Sequence, residues 1–358
     1  SIIKISNALL HNHANREPHF ISMLGVMTDI NGTRFDSLHF KTWMKGLNHI
    51  LKMDKGMLRK MKDYFDFTRG FLQSGGLNLS RARNWYAQSE EYRFVYDTTL
   101  KIIYRHTPLK CRHRDDSIQI FQTSGIYYPF KKIWQGQGGE VTWERAGYSR
   151  DQIHAQLNDY TIDLTRAEYQ ADSVLFTNNL YFDKPVRGEL EDKLYHIINP
   201  RDATYPIFRS YKKVFEIPNI YENIDFIGGF KMKGAQFIGS GGKGQEATLK
   251  VHRNDKVFMT ARAQVFILRK DQALSRKAGI TIHLKKDSIY HTGLGFNYNV
   301  NSQQIELISN DNILSKSVYY NTYHQVSMKF DRLLWKTNQD KIYFTHSRNA
   351  SMGQATFT

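Results

Sequence analysis

Glu140 and Glu144 flank Trp143 in the stretch GGEVTWERAG, and a pair of carboxyl groups is what glycoside hydrolysis requires. Residues four apart on one strand share a face, but at roughly 3.3 Å per residue their Cα atoms lie about 13 Å apart. Retaining hydrolases need roughly 5–5.5 Å between carboxyl groups, and inverting ones about 6.5–9.5 Å. The pair alone therefore does not build a hydrolase. Acids from separate strands, such as Glu140 with Asp163 or Asp172, keep a carbohydrate-active hydrolase open as one reading. Cys111 sits in the basic segment LKCRHRD, which would lower a thiol pKa, but spacing assigns it no His and Asn partner. His11-Asn12-His13 lacks surrounding metal ligands, and His106, Cys111 and His113 could converge on a metal only if their strand bent sharply. No Gly-x-Ser-x-Gly elbow and no HExxH helix occurs. The sequence thus predicts no catalytic residue, no metal site and no cofactor.

Gly239-Ser240-Gly241-Gly242-Lys243-Gly244 fits the glycine pattern of a phosphate-binding loop, which needs a helix after it. Ala247, Leu249 and Val251 instead alternate with polar neighbours, so the glycines predict a β-hairpin leading into a strand. The aromatic residues offer more. Tyr127, Tyr128, Trp134 and Trp143 lie near Lys131, Lys132 and Arg145, a mixture suited to stacking on sugar faces or holding an anionic ligand. These seven residues are the candidate binding site. The competing reading, that most of the rings fill a β core, is the favoured one.

The elements that must position these groups change character along the chain. From Ser37, the apolar residues Phe40, Trp43, Met44, Leu47, Ile50 and Leu51 follow helical spacing, with Gly46 as a weak point. A second helix runs from Met57-Leu58 through Met61, Tyr64, Phe65, Phe71 and Leu72 to a stop at Ser74-Gly75-Gly76. Their other face carries Lys41, Lys45, Lys52, Lys55, Arg59, Lys60 and Lys62, a pattern that usually marks a solvated surface. After Gly76 the alternation is that of strands, as in Tyr92, Phe94 and Tyr96 or Leu100, Ile102 and Tyr104. Asp116-Ser117-Ile118 recurs as Asp172-Ser173-Val174 and Asp287-Ser288-Ile289, each followed by an aromatic segment. The second interval is about twice the first, which predicts a degenerate copy near Asp225–Phe230. Each Asp-Ser is expected to cap a turn that opens a strand pair.

The segments ADSVLFTNNLYF and DDSIQIFQTSGIYYPFKKIWQGQGGEVTW resemble strand pairs of the OstA/LptA-like lipopolysaccharide-transport β-jelly-roll, over residues 85 to 195 and again 225 to 310. The resemblance implies a periplasmic or outer-membrane-associated slab of stacked strands whose interior shelters acyl chains. The N-terminal helices and the long, irregular spacing depart from it. The chain is also similar to segments of large Gram-negative cell-envelope proteins, which implies location more than activity.

The 358 residues carry a formal charge of +16, with 41% hydrophobic and 13% aromatic residues, enough apolar surface to fold and a pull toward anionic partners. The basic residues are scattered rather than gathered into an arm or module, which argues against nucleic acid. A single cysteine rules out an intrachain disulfide, and no apolar run is long enough to span a bilayer. A first residue of Ser and an end in mid-pattern at Ala355–Thr358 point to a piece of a longer protein.

The expected fold is α+β and mostly β: an N-terminal helical region (1–80), a first β part (81–198), a connection (199–224) made irregular by Pro200, Pro206 and Pro218, and a second β part (225–358). The β parts form a long antiparallel β-jelly-roll or β-solenoid-like body with degenerate repeats. The expected function is a non-enzymatic binding or scaffold module of the bacterial cell envelope, periplasmic or associated with the outer membrane. Its partner would be an anionic glycan, a lipid or an envelope protein. Lipid or lipopolysaccharide handling along the apolar β interior is the first alternative, and a hydrolase the second.

Overall fold

The computed structural model describes residues 2–32, 35–53, 55–196, 199–241, 245–309, 318–345 and 355–357. The chain forms two compact units: residues 1–145, 149–176 and 189–199 make the first, and 146–148, 177–188 and 200–358 the second. The fold is mostly antiparallel β with helices at the N-terminus, as the change of periodicity predicts.

Four α-helices belong to the first unit: α1 (Ile2–His11), α2 (Ile21–Asn31), α3 (Ser37–Leu51) and α4 (Met57–Ser74). Asp36 caps α3 by accepting the His39 N–H at 2.7 Å, which satisfies one of the free donors of the first turn. Gly75 ends α4 in the left-handed region, φ 71°, returning its N–H to the last turn. Gly46, read from sequence only as a weak point, is where the two helices approach. A Cβ there would stand 2.7 Å from the Tyr64 hydroxyl, which itself donates to the Trp43 carbonyl at 3.3 Å. The fully buried Trp43 indole donates to Thr68 Oγ1 at 2.9 Å, so the polar atoms of this seam are paired.

The β part of the first unit is organised by one long hairpin, Leu100–His113 with Asp116–Tyr128. Each strand buries alternate residues, but the alternation changes phase midway. Leu100, Ile102 and Tyr104 point inward, then Thr107, Leu109 and Cys111, and the exposed pair Arg105-His106 absorbs the change. On the return strand the same device sits at Gln122, φ 49°, between Ile120 and Thr123. The register shifts at this level, so these are β-bulges that bend the strand while keeping one face inside. The interior is filled by Trp85, Trp134, Trp143, Tyr104, Tyr127 and Phe176.

The second unit repeats the plan. Its long hairpin, Gln272–His283 with Ser288–Asn299, also shifts register midway, at the exposed pair Arg276-Lys277. Phe208, Phe226, Phe230, Phe237, Phe266, Phe296 and Trp335 fill its interior. The segment expected as a connection differs from the expectation: Ile207–Ser210 and Phe215–Tyr221 are strands paired with Ile224–Lys233. The prolines are accommodated because Pro200 starts a short 3-10 turn, Pro206 precedes a strand, and Pro218 lies where the register shifts. The strands on either side of the glycine-rich segment share a third strand as partner. Gln236–Ser240 and Ala247–Arg253 both pair with Ile224–Lys233, at its two ends. Gly242, Lys243 and Gly244 lie outside the described residues.

The Asp-Ser motif divides in the same way. Asp116 and Asp287 stand at the tips of the two long hairpins, and Asp225 follows the Glu222-Asn223 tip of a third. Asp172-Ser173 does not open a strand pair. It lies inside the strand Glu168–Asn178, with Ser173 at φ 55° and burial passing from Tyr169 and Ala171 to Val174 and Phe176, so it is the bulge. Turns and bulges ask for the same residue types, small and tolerant of positive φ, and the motif alone does not distinguish them.

Candidate functional site

The seven residues predicted as one site separate. Tyr127, Trp134 and Trp143 are core residues: Tyr127 donates to the Leu77 carbonyl at 2.6 Å, and Trp143 meets Phe176 edge-on at 5.0 Å. No sugar can stack on them. Burial pushes the Tyr127 hydroxyl far above the ordinary tyrosine range. Arg145 is removed from the surface by a different cause. Its guanidinium reaches Asp192 Oδ1 at 3.0 Å, Asp116 Oδ2 at 3.3 Å and the Lys193 carbonyl at 3.1 Å. Asp192 is 2% exposed, and burial pushes its carboxyl up to about 6 against the pull of Arg145. Arg145 is thus committed to holding the buried Asp192 and the half-buried Asp116.

Tyr128, Lys131 and Lys132 remain together at the other end of the return strand. The half-buried Tyr128 ring lies 5.9 Å from both Lys131 Nζ and Lys101 Nζ, within cation–π reach. A turn closed by Lys131 N–H to Tyr128 C=O places Lys132 at φ 55°. Lys132 there borders a cavity of about 240 Å³ lined also by α4, by residues 76–79, by Met53 and by the end of the return strand.

Aromatic and apolar groups make the wall of this cavity: Tyr64 and Phe67 from α4, Leu77, and Tyr127, Pro129 and Phe130 from the end of the hairpin. The rings are mutually braced. Phe67 lies 5.7 Å from Tyr127, Phe130 lies 5.4 Å from Tyr64, and Phe130 stacks on His49 at 5.6 Å and 18°. Lys60 and Lys132 share this lining with Asp63 and Asp66, and of the four only Lys132 is half-buried rather than exposed. Asp66 is ion-paired with Lys62, which leaves two lysines against one carboxylate, Asp63. A cavity below the roughly 300–1,000 Å³ of drug-sized pockets suits one acyl chain or one ring with a charged group. Sequence reasoning reached Lys132 but missed Tyr64, Phe67, Leu77 and Phe130. The available signal was Tyr64 and Phe67, three residues apart and so on one face of a basic helix.

The catalytic readings find less. Glu140 accepts from Gln156 Nε2 at 2.7 Å and is paired with Arg150. Glu144 lies outside that strand, in a 3-10 turn, accepting from Thr142 at 3.0 Å. Asp163, bonded by Thr165, pairs its backbone with Ile133, whereas Glu140 follows Gln137 at the other end of that ladder. The strands therefore do not gather a hydrolase pair from Glu140 and Asp163. Burial pushes the Cys111 thiol up to about 12, the reverse of what its basic neighbours imply from sequence. No cluster of three metal-ligating side chains occurs among the described residues, His106, Cys111 and His113 included.

No protein-family model matches the chain, and no curated protein matches it. Among solved structures there is a likeness to LptH, the LptA-homologous periplasmic component of the lipopolysaccharide transport device of Pseudomonas aeruginosa. It is 9% identical over 35% of this chain and 85% of that one, with a TM-score of 0.25. A likeness at that level carries no argument, and the site rests on its own geometry. No described helix is long and apolar enough to cross a membrane.

Proposed function

We propose that the protein is a non-enzymatic binding module of a bacterial cell envelope, and that the first unit takes up an anionic amphiphile with its apolar portion in the cavity beside α4. The observation that carries this reading is the combination of braced aromatic walls with Lys60 and Lys132 in the lining of the same cavity. An apolar tail gains by leaving water, and an acidic headgroup gains charge-assisted hydrogen bonds from lysines that have no carboxylate partner among the described residues. The filled β interior of the first unit supports this location over a conduit along the strands. Envelope location is supported by the sequence resemblance to OstA/LptA-like strand pairs.

Titration with dansyl-labelled undecanoate tests the reading. Wild type should bind with a blue-shifted emission. Phe130→Asp should weaken binding about tenfold or more, equivalent to about 1.4 kcal/mol or above. Lys132→Glu should weaken the carboxylate probe and spare its uncharged amide. Equal binding by wild type and Phe130→Asp would contradict the proposal.

A further inference from the structure

We infer that the second unit carries a separate site for an anionic polysaccharide, built on a tyrosine platform at the tip of its long hairpin. The outward face of the sheet there presents the cross-strand row Thr281, Tyr290, Tyr320 and Ser327. Residues directly opposite on antiparallel strands share a face, so the two tyrosines form a continuous aromatic strip. Their ring centroids lie 5.6 Å apart, tilted by 49°. Tyr290 is 40% exposed. Rings so placed would ordinarily be covered in a core; side by side on an outer face they give the apolar platform on which the C–H face of a pyranose stacks.

The chemistry around the strip selects the charge of the sugar. The hairpin tip carries Lys285 and Lys286, both exposed. Ser288 is two residues before Tyr290, so the tip begins roughly 7 Å along the strand from the platform. The neighbouring turn is tied to this tip: the Ser288 N–H donates to Thr322 Oγ1 at 2.8 Å, Thr322 Oγ1 donates to Asp287 Oδ1 at 3.2 Å, and the Thr322 N–H returns to the Ser288 carbonyl at 3.0 Å. That clamp uses the carboxylate of Asp287, the acid of the tip, and fixes the turn that carries Tyr323, 68% exposed. Two exposed ammonium groups next to an aromatic strip, with the local carboxylate engaged by a hydroxyl, match a sugar chain bearing one acidic group per residue or two, such as a uronate polymer. The rings supply orientation and the lysines supply charge selection.

Isothermal titration with hexagalacturonate and with neutral cellohexaose tests this. The acidic oligosaccharide should bind and the neutral one should bind at least about tenfold more weakly. Tyr290→Ala, which leaves the net charge unchanged, should weaken hexagalacturonate about tenfold, and Tyr290→Phe, which keeps the ring, should stay near wild type. Lys285→Glu/Lys286→Glu should abolish binding, while Lys131→Glu/Lys132→Glu in the first unit should leave it in place. Binding unchanged in Tyr290→Ala, or weakened equally by the two lysine pairs, would show attraction to overall charge and overturn the site. Phe130→Asp should leave hexagalacturonate binding intact, so failure here and failure of the amphiphile reading are separable.

Discussion

The two long hairpins, Leu100–His113 with Asp116–Tyr128 and Gln272–His283 with Ser288–Asn299, obey one rule and end differently. Both shift register midway at a pair of exposed basic residues, Arg105-His106 in one and Arg276-Lys277 in the other. Both fill their interiors with aromatic side chains. In the first unit, helix α4 stands against the end of the hairpin and turns Tyr127 and Phe130 into the wall of a cavity. In the second, among the described residues, no α-helix occurs, and Tyr290 and Tyr320 meet on the outward face instead. The β framework thus supplies a rigid support at each place, and what stands against it decides whether the aromatic residues enclose a ligand or offer a platform.

The comparison can be broken at the shared framework first. Trp134→Ala empties a fully buried site in the first unit and should cost about 3–5 kcal/mol, read as a lowered denaturant midpoint. A near-neutral result would mean that the interior is not packed as described. Arg145→Ala should cost a comparable amount, about 3–5 kcal/mol, because it strands the buried charge of Asp192.

A pH series sharpens the same point. The Asp192 carboxyl is raised by burial from 3.8 to about 6, so the folded state binds its proton more tightly than the unfolded chain does. Its contribution to stability is fully present below about pH 4 and lost as pH rises through about 6, a change of roughly 3 kcal/mol at 1.36 kcal/mol per unit. Relative to Asp192→Asn, wild type should therefore become less stable across that window. Parallel curves for the two proteins would remove the buried-carboxylate account.

The helical side of the comparison rests on close approach. Gly46→Ala would place a methyl 2.7 Å from the Tyr64 hydroxyl and should cost about 1–3 kcal/mol, despite the higher helix propensity of alanine. Because Tyr64 lines the cavity, the same variant should also weaken the amphiphile probe. A stabilised Gly46→Ala would show that α3 and α4 lie farther apart.

What could be read in advance divides along physical lines. Helices α3 and α4 were legible because their signals, an apolar stripe and a glycine stop, are local. The bulges were not, because Gln122 and Ser173 take positive φ without being glycine, and Asp172-Ser173 is indistinguishable in type from the turn at Asp116-Ser117. Arg145 looked like a surface cation because its partners, Asp116 and Asp192, are far from it in sequence. Tyr128, Lys131 and Lys132 were found together because one turn holds them together. The cavity needed α4 beside the hairpin end, a contact between residues 64–67 and 127–130 that no local pattern encodes.

The most direct test titrates dansyl-labelled undecanoate into wild type, Phe130→Asp and Tyr290→Ala side by side. The account predicts saturable binding by wild type and by Tyr290→Ala, with Phe130→Asp weakened about tenfold or more. Equal binding by all three, or loss in Tyr290→Ala with Phe130→Asp unaffected, would contradict it.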